Sequence, residues 1–132
     1  MSDLMQFDLV SPEAALISIE ASSVEIPGAE GDFTAMPQHA SLITSLRPGL
    51  LKVNSNDGTK EYIVTGGFVE INASSTSVLA EQAFEKDNLT KDIVDGLIDD
   101  AEKALTNCAE SSRDALEKRC HDTKSLLELL DL

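Results

Sequence analysis

The chain has 132 residues and a formal net charge of -14, from 24 Asp and Glu against 10 Lys and Arg. This acidity excludes a nucleic-acid-binding protein and a protein that docks directly on an anionic bilayer, because both need clustered basic residues. A hydrophobic fraction of 42% is ordinary for a folded protein, and no apolar run approaches the roughly 18 residues of a membrane span, so we expect a folded, soluble and cytosolic product.

The first 84 residues contain closely spaced turn-forming residues, as is typical of an all-β domain. All four prolines and six of the seven glycines fall there, and turn signals at this density are typical of many short strands. The predicted strands are Met5–Val10, Ala14–Ile19, Ser23–Ile26, Asp32–Ala35, Ser41–Leu46, Leu50–Asn54, Glu61–Thr65, Phe68–Asn72 and Ser77–Ala80. The sequence Asn56-Asp57-Gly58 predicts a tight turn that pairs the two strands flanking it. Because aromatic residues are few, Leu, Ile and Val from two facing sheets are expected to fill the core.

From Lys86 onward the hydrophobic period changes from two to about four. Leu89, Ile93, Leu97, Ala101 and Leu105 recur at helical spacing, with Val94, Ile98 and Ala104 widening the stripe. Asn88 is the predicted N-cap of this first helix. Residues 106–112 are poor in strong helix formers and predict a turn.

A second helical stripe follows that turn. Its members are Leu116, Cys120, Thr123, Leu127 and Leu130. The fold class is therefore predicted as α+β. A β-sandwich of about 9–10 short antiparallel strands (1–84) precedes an antiparallel two-helix hairpin (85–132).

The side chains that could support catalysis or metal binding do not converge in sequence. His39 lacks a second histidine at metal-ligand spacing and is expected to be a loop or interface residue. Cys108 and Cys120 form no disulfide framework, and their expected role is apolar packing. The glycines of 27–31 indicate a turn rather than a phosphate loop, because no Gly-Lys-Ser or Gly-Lys-Thr follows and two acids would repel phosphate. We therefore expect no catalytic residue, no metal and no cofactor.

A long spaced pattern gives a more specific indication. Its residues are Val24, Pro27, Gly28, Gly31, Phe33, Met36, Pro37, His39, Ala40, Leu42, Ile43, Thr44, Leu46, Pro48 and Gly49, then Gly66-Gly67-Phe68-Val69-Glu70 and Val78-Leu79-Ala80. In this pattern the chain resembles the epsilon subunit of bacterial F-type ATP synthases. The opening segment from Phe7 to Glu13 is similar to the first strand of that family.

The resemblance implies a non-catalytic rotor subunit that couples proton-driven rotation of the c-subunit ring to ATP synthesis. Its sandwich would rest on the gamma subunit and on the c-ring, at the cytoplasmic face of the inner membrane, and the complex alone would hold it there. The ring-facing residues implied are Glu30, Asp32, Gln38 and His39. Acids and a histidine suit such a contact because charge-assisted hydrogen bonds orient two polar surfaces.

The resemblance also bears on regulation by the hairpin. An extended hairpin in this family reaches the alpha and beta subunits or runs along gamma, and Arg113, Lys118 and Arg119 are the residues that would make such contacts. Residues 109–132 carry six acids and four bases, net -2, so we expect weak or absent inhibition of ATP hydrolysis. The nucleotide-sensing pattern of the family ends in Arg-Ala, whereas the two candidate segments, residues 93–98 and 98–103, contain no arginine, so no nucleotide site is expected.

Two other functions are compatible with the residues alone. The chain could be an enzyme on a small β-sandwich, with His39, Glu30 and Asp32 as its site, although a second metal ligand or a nucleophile is lacking. It could also be a free-standing acidic adaptor that binds a partner through the hairpin. A stable complex with a gamma subunit distinguishes the rotor subunit from the adaptor.

Overall fold

The computed structural model of the chain describes residues 4–131. Ten strands come first: β1 Met5–Val10, β2 Ala15–Ala21, β3 Ser23–Gly28, β4 Gly31–Ala35, β5 Leu42–Leu46, β6 Gly49–Ser55, β7 Gly58–Val64, β8 Gly67–Ile71, β9 Ser75–Ala80 and β10 Ala83–Glu85. A 3-10 turn at Lys86–Asn88 leads into helix α1, Lys91–Thr106. A second 3-10 turn at Glu110–Ser112 precedes helix α2, Arg113–Leu129. The α+β class with strands first and two helices last is confirmed.

The strands form one hydrogen-bonded sheet in the order β10-β7-β6-β3-β5-β8-β9-β1-β2, and β4 pairs with β3 beside that path. The sheet curls, since β2 at one end of the order contacts β6 near the other end. The predicted turn before Gly58 is confirmed, because β6 and β7 pair antiparallel with Ser55 opposite Gly58. The pair β1 and β9 is parallel, although the sequence predicts antiparallel strands throughout. Seven strands separate these two in the chain, so no tight turn fixes their direction.

Alternation places one face of strands such as β1, β6 and β8 in the core. In β1 the buried side chains are Met5, Phe7 and Leu9, while Gln6 and Asp8 face outward. Val69 and Val78 supply the same inward face from β8 and β9. Each large apolar side chain buried in this way contributes about 1.5–3 kcal/mol of transfer free energy. This core fixes the register of the alternating strands, because a slip of one residue would turn their apolar face to solvent.

The chain divides into two compact units between Phe84 and Glu85. In the second unit α1 and α2 pack against each other, and the short connection between them makes them antiparallel. Their buried residues are Val94, Ala101, Cys120, Thr123 and Leu126. The two cysteines are free thiols. Neither helix in the described part of the chain is both long and apolar enough to cross a membrane.

Two details of the helix prediction are wrong. The N-cap of α1 is Thr90, whose hydroxyl accepts a hydrogen bond from the Ile93 amide at 3.3 Å. Asn88 instead ends the 3-10 turn, and its side-chain amide donates to Glu85 at 2.9 Å. On α2 the predicted stripe omits Leu126, which is buried, whereas the predicted Leu127 is half-buried; both lie on the face of Thr123, at i+3 and i+4.

Candidate functional site

The tip of the β3–β4 hairpin presents Glu30. Pro27 and Gly28 end β3, Ala29 and Glu30 form a two-residue turn, and Gly31 begins β4 with a φ of 145°. A Cβ on Gly28 would lie 2.7 Å from the Gly31 carbonyl oxygen, so the two legs of the hairpin approach too closely for a side chain there. This geometry leaves the Glu30 side chain exposed at the tip.

The two acids of this hairpin differ in their partners. The Asp32 carboxylate accepts a charge-assisted hydrogen bond from Nη2 of Arg47, with which it forms an ion pair. Glu30 forms neither an ion pair nor a side-chain hydrogen bond within residues 4–131. Glu30 is therefore the acid at this tip whose charge is available to a second molecule.

Gln38 and His39 lie in the connection between β4 and β5, away from the hairpin tip. The backbone amide of Gln38 donates to the carbonyl oxygen of Ala73 at 2.8 Å. This hydrogen bond attaches the connection to the β8–β9 turn. Gln38 adopts a φ of 71°, a left-handed conformation that non-glycine residues rarely take. The His39 ring is half-buried, and its Nδ1 lies 2.6 Å from the carbonyl oxygen of Ala40.

The four predicted contact residues consequently form two groups, one at each end of β5. Leu46 of β5 pairs with Gly28 beside the Glu30 turn, whereas Leu42 pairs with Ile71 beside the β8–β9 turn. At about 3.4 Å per residue the ends of β5 lie roughly 13 Å apart. They are too far apart to converge on one small ligand. Both groups fit within one protein interface, which buries about 800 Å² of each partner.

An apolar patch on the outside of the sheet was not predicted from the sequence. Ile43, Phe68 and Leu79 are 69%, 57% and 55% exposed, and we call these three residues the apolar outer face. Phe68 and Leu79 are directly paired across β8 and β9, so their Cβ atoms are about 5 Å apart. Ile43 on β5 is opposite Glu70. Phe68 lies two residues before Glu70 on β8, so Ile43 and Phe68 are diagonal neighbours on the same face. Adjacent exposed apolar side chains of this size are typical of a surface that another protein covers.

The alternation within β8 could have revealed this face. Val69 and Ile71 are buried, which leaves Phe68 and Glu70 on the solvent side of the strand. A phenylalanine at an outward position of an antiparallel strand indicates an exposed apolar surface. Its significance depends on the neighbouring Leu79, and that pairing is set by the sheet register rather than by the local sequence.

The basic residues of α2 that were predicted to reach other subunits largely have acidic neighbours on their own helix. Arg113 pairs with Glu117 at 3.0 Å and Lys118 pairs with Asp122 at 2.7 Å, both at i,i+4 spacing. Arg119 is half-buried on the same helix. Exposed pairs of this kind contribute about 0.3–0.5 kcal/mol each. They reduce the positive potential that α2 projects into solvent.

The described side chains give little support to a reaction centre. Within residues 4–131, no group of three or more His, Cys, Asp or Glu side chains is arranged to hold a metal ion. The three residues of the enzyme hypothesis, Glu30, Asp32 and His39, are divided between the two ends of β5.

The chain is similar to known proteins over both its strands and its helices. A family model for the ATP synthase delta/epsilon chain β-sandwich domain matches residues 4–86. An ATP synthase epsilon chain from Ruegeria sp. (strain TM1040) is 54% identical over 112 residues, which is 85% of this chain and 82% of the relative. Another from Jannaschia sp. (strain CCS1) is 46% identical over 126 residues and covers 96% of both chains.

Two solved structures share the fold at low sequence identity. A chain in the mitochondrial ATP synthase of Euglena gracilis, solved as OSCP/F1/c-ring, has a TM-score of 0.74 at 18% identity and covers 98% of this chain and 83% of its own. A chain in the central stalk/c-ring of the Tetrahymena thermophila enzyme has a TM-score of 0.64 at 15% identity, with coverages of 96% and 93%. The sequence relatives extend over both the strands and the helices, and the chain belongs to the family of ATP synthase epsilon chains.

Proposed function

We propose that this chain is a non-catalytic subunit of the central stalk, and that it couples rotation of a c-subunit ring to ATP synthesis. Family membership supports this role, as does the fold shared with chains of an F1/c-ring complex and of a central stalk/c-ring. The observation that carries the proposal is the apolar outer face, because a protein that works alone rarely exposes such neighbouring side chains.

The gamma subunit is the partner that we assign to the apolar outer face. In the epsilon family the sandwich rests on gamma, and a contact kept throughout rotation resembles an obligate interface. Obligate interfaces are more apolar than transient ones. Ile43, Phe68 and Leu79 supply that character on neighbouring strands.

The c-ring is the partner that we assign to the two polar groups at the ends of β5. Glu30 and Asp32 form one group, and Gln38 and His39 form the other. Polar and charged side chains suit the wet rim of an interface, where they fix orientation more than they add affinity. Through these two partners the chain would be held at the cytoplasmic face of the bacterial inner membrane as a peripheral subunit.

A reconstitution experiment tests this function. Inverted membrane vesicles stripped of their epsilon chain receive the full-length protein, and ATP-driven proton pumping is measured per ATP hydrolysed. We expect the protein to restore pumping and to co-purify with gamma. Addition of a chain with Leu129→Ser, which alters an exposed leucine of α2, serves as the control and should restore pumping equally. Failure to restore pumping, with the chain recovered free of gamma, would contradict the proposal.

We further propose that the hairpin inhibits ATP hydrolysis weakly or not at all. The net charge of -2 over residues 109–132 and the pairing of Arg113 and Lys118 with acids of α2 support this. An acidic surface on alpha or beta would gain little attraction from side chains already neutralised by near neighbours.

Deletion of residues 86–132 tests the hairpin proposal. We expect the ATPase rate of the complex to stay nearly unchanged, because no strong inhibitory contact is removed. Co-purification of the shortened chain with gamma is the control for its incorporation. Several-fold activation of hydrolysis by an incorporated, shortened chain would show that the hairpin is an inhibitor.

A further inference from the structure

Arg47 joins both legs of the β3–β4 hairpin. Its Nη1 donates to the carbonyl oxygen of Gly28 at 2.6 Å, on the β3 leg. Its Nη2 donates to the carboxylate of Asp32, on the β4 leg. We call these two hydrogen bonds the Arg47 bridge. They lie on either side of the turn that carries Glu30.

Among the described residues, backbone hydrogen bonds attach the β3 leg of the hairpin, and not the β4 leg, to the end of β5. The Arg47 amide donates to the Pro27 carbonyl oxygen at 3.0 Å, and the Ala29 amide donates to Ser45 at 2.9 Å. Both bonds attach the β3 leg to the end of β5. The β4 leg pairs with β3 and lies beside the main strand order. Among the hydrogen bonds of residues 4–131, the one from Arg47 to Asp32 is what connects β4 to the end of β5.

The environment of the bridge favours arginine. The Arg47 side chain is 26% exposed and that of Asp32 is 75% exposed, so the guanidinium lies against the protein while its partner lies at the surface. A planar guanidinium donates in two fixed directions at once, whereas a lysine ammonium is a point charge on a flexible stem. Hydrogen bonds to charged groups are also about twice as strong as neutral ones.

The bridge gives the two acids of the hairpin different roles. Asp32 is neutralised within the chain by Arg47, and Glu30 keeps its charge at the tip. We propose that Arg47 is a positioning residue that fixes the turn so that Glu30 meets its polar partner on the c-ring. This inference rests on the proposed function, since it assumes that the hairpin tip contacts the ring.

Amide hydrogen exchange in the isolated full-length chain tests the bridge without any partner. Arg47→Gln should raise exchange at residues 29–32 by about tenfold, the equivalent of one charge-assisted hydrogen bond. Arg47→Lys should give an intermediate increase. Lys52→Gln is the matched control, because Lys52 pairs with Glu25 at 4.0 Å on β6 and β3 and should leave the turn unchanged. Unaltered exchange at 29–32 in Arg47→Gln would overturn the bridge as a positioning device.

A double-mutant cycle tests the positioning role in the complex. The chain concentration that half-restores proton pumping in stripped vesicles is measured for Glu30→Gln, Arg47→Gln and the double variant. We expect each single change to raise that concentration, and the double variant to be no worse than the larger single effect, because Arg47 acts through Glu30. If the effects of the two single changes add in the double variant, the positioning role is overturned, whereas the ring contact of Glu30 is not. An unchanged value for Glu30→Gln would overturn both the ring contact and the positioning role, whereas the exchange data still report on the bridge, so the two failures are distinguishable.

Discussion

Phe68→Ser is expected to weaken docking of the chain on gamma about 30-fold without unfolding the sandwich. An aromatic side chain buries about 200 Å² when fully covered, and 57% of Phe68 is still exposed in the free chain. Covering this remaining surface at about 25 cal/mol per Å² is worth about 2.8 kcal/mol at most. Incomplete coverage and the cost of ordering reduce this to about 2 kcal/mol, or about 30-fold in affinity.

The assay is titration of the labelled full-length chain onto F1 that has been stripped of its epsilon chain. Leu79→Ser should produce a similar loss, since Leu79 is exposed to nearly the same degree and pairs with Phe68. The two losses should add incompletely because the side chains are in contact. Leu129→Ser, at a comparably exposed leucine on α2, is the control. An unchanged affinity in Phe68→Ser, with the control also unchanged, would refute the assignment of gamma to the apolar outer face.

Three further predictions concern the stability of the two units. Gly67→Ala places a Cβ 2.0 Å from a carbonyl oxygen of β9 at a φ of 131°, and should lower the urea midpoint by the equivalent of about 3 kcal/mol or more. Gly58→Ala, with open space around it, should cost only about 1–2 kcal/mol of backbone strain. Thr90→Ala removes the α1 N-cap and should cost about 1 kcal/mol in thermal unfolding of the helical unit. The pKa of Lys103 is raised above 10.5 by the hydrogen bond to Asp99. The pair should therefore stabilise α1 fully below pH 10.5 and lose that effect as pH rises through the higher folded value, which NMR titration of the lysine detects.

Each of these predictions has an outcome that contradicts it. Equal losses in the two glycine variants would show that the close approach of β9 does not matter. Unchanged unfolding of Thr90→Ala would remove the capping assignment. A Lys103 pKa that does not fall toward its ordinary value in Asp99→Asn would show that the carboxylate is not its partner in solution.

The strands could be predicted from the sequence because their signals are local. The alternation of side chains in β1 and the turn before Gly58 each depend on a few neighbouring residues, and both predictions agree with the structure. β10 was missed because three residues are too few to show alternation. The N-cap was misplaced at Asn88 because Asn and Thr are both good caps, and a 3-10 turn before Thr90 decides between them.

The functional surfaces were harder to predict because they depend on sheet register. Arg47 and Asp32 are 15 residues apart in the chain, and no local pattern relates them. Phe68 and Leu79 become neighbours only when β8 and β9 pair. The resemblance supplied Glu30, Asp32, Gln38 and His39 as a set, whereas the structure separates them into the two ends of β5. The sequence shows which residue types could make these contacts. It does not show which of those residues lie together on one surface.

The proposed assembly divides its two contacts by chemistry. On the apolar outer face, burial of Ile43, Phe68 and Leu79 would supply affinity for gamma that salt does not screen. At the hairpin tip, Glu30 would supply a charged contact whose strength falls with ionic strength but whose direction is fixed by the Arg47 bridge. With eleven acids against three bases in residues 1–84, the sandwich has few basic groups to neutralise its own acids. The pairing of Arg47 with Asp32 would therefore leave Glu30 as the acid that the hairpin presents to the ring without a partner of its own among residues 4–131.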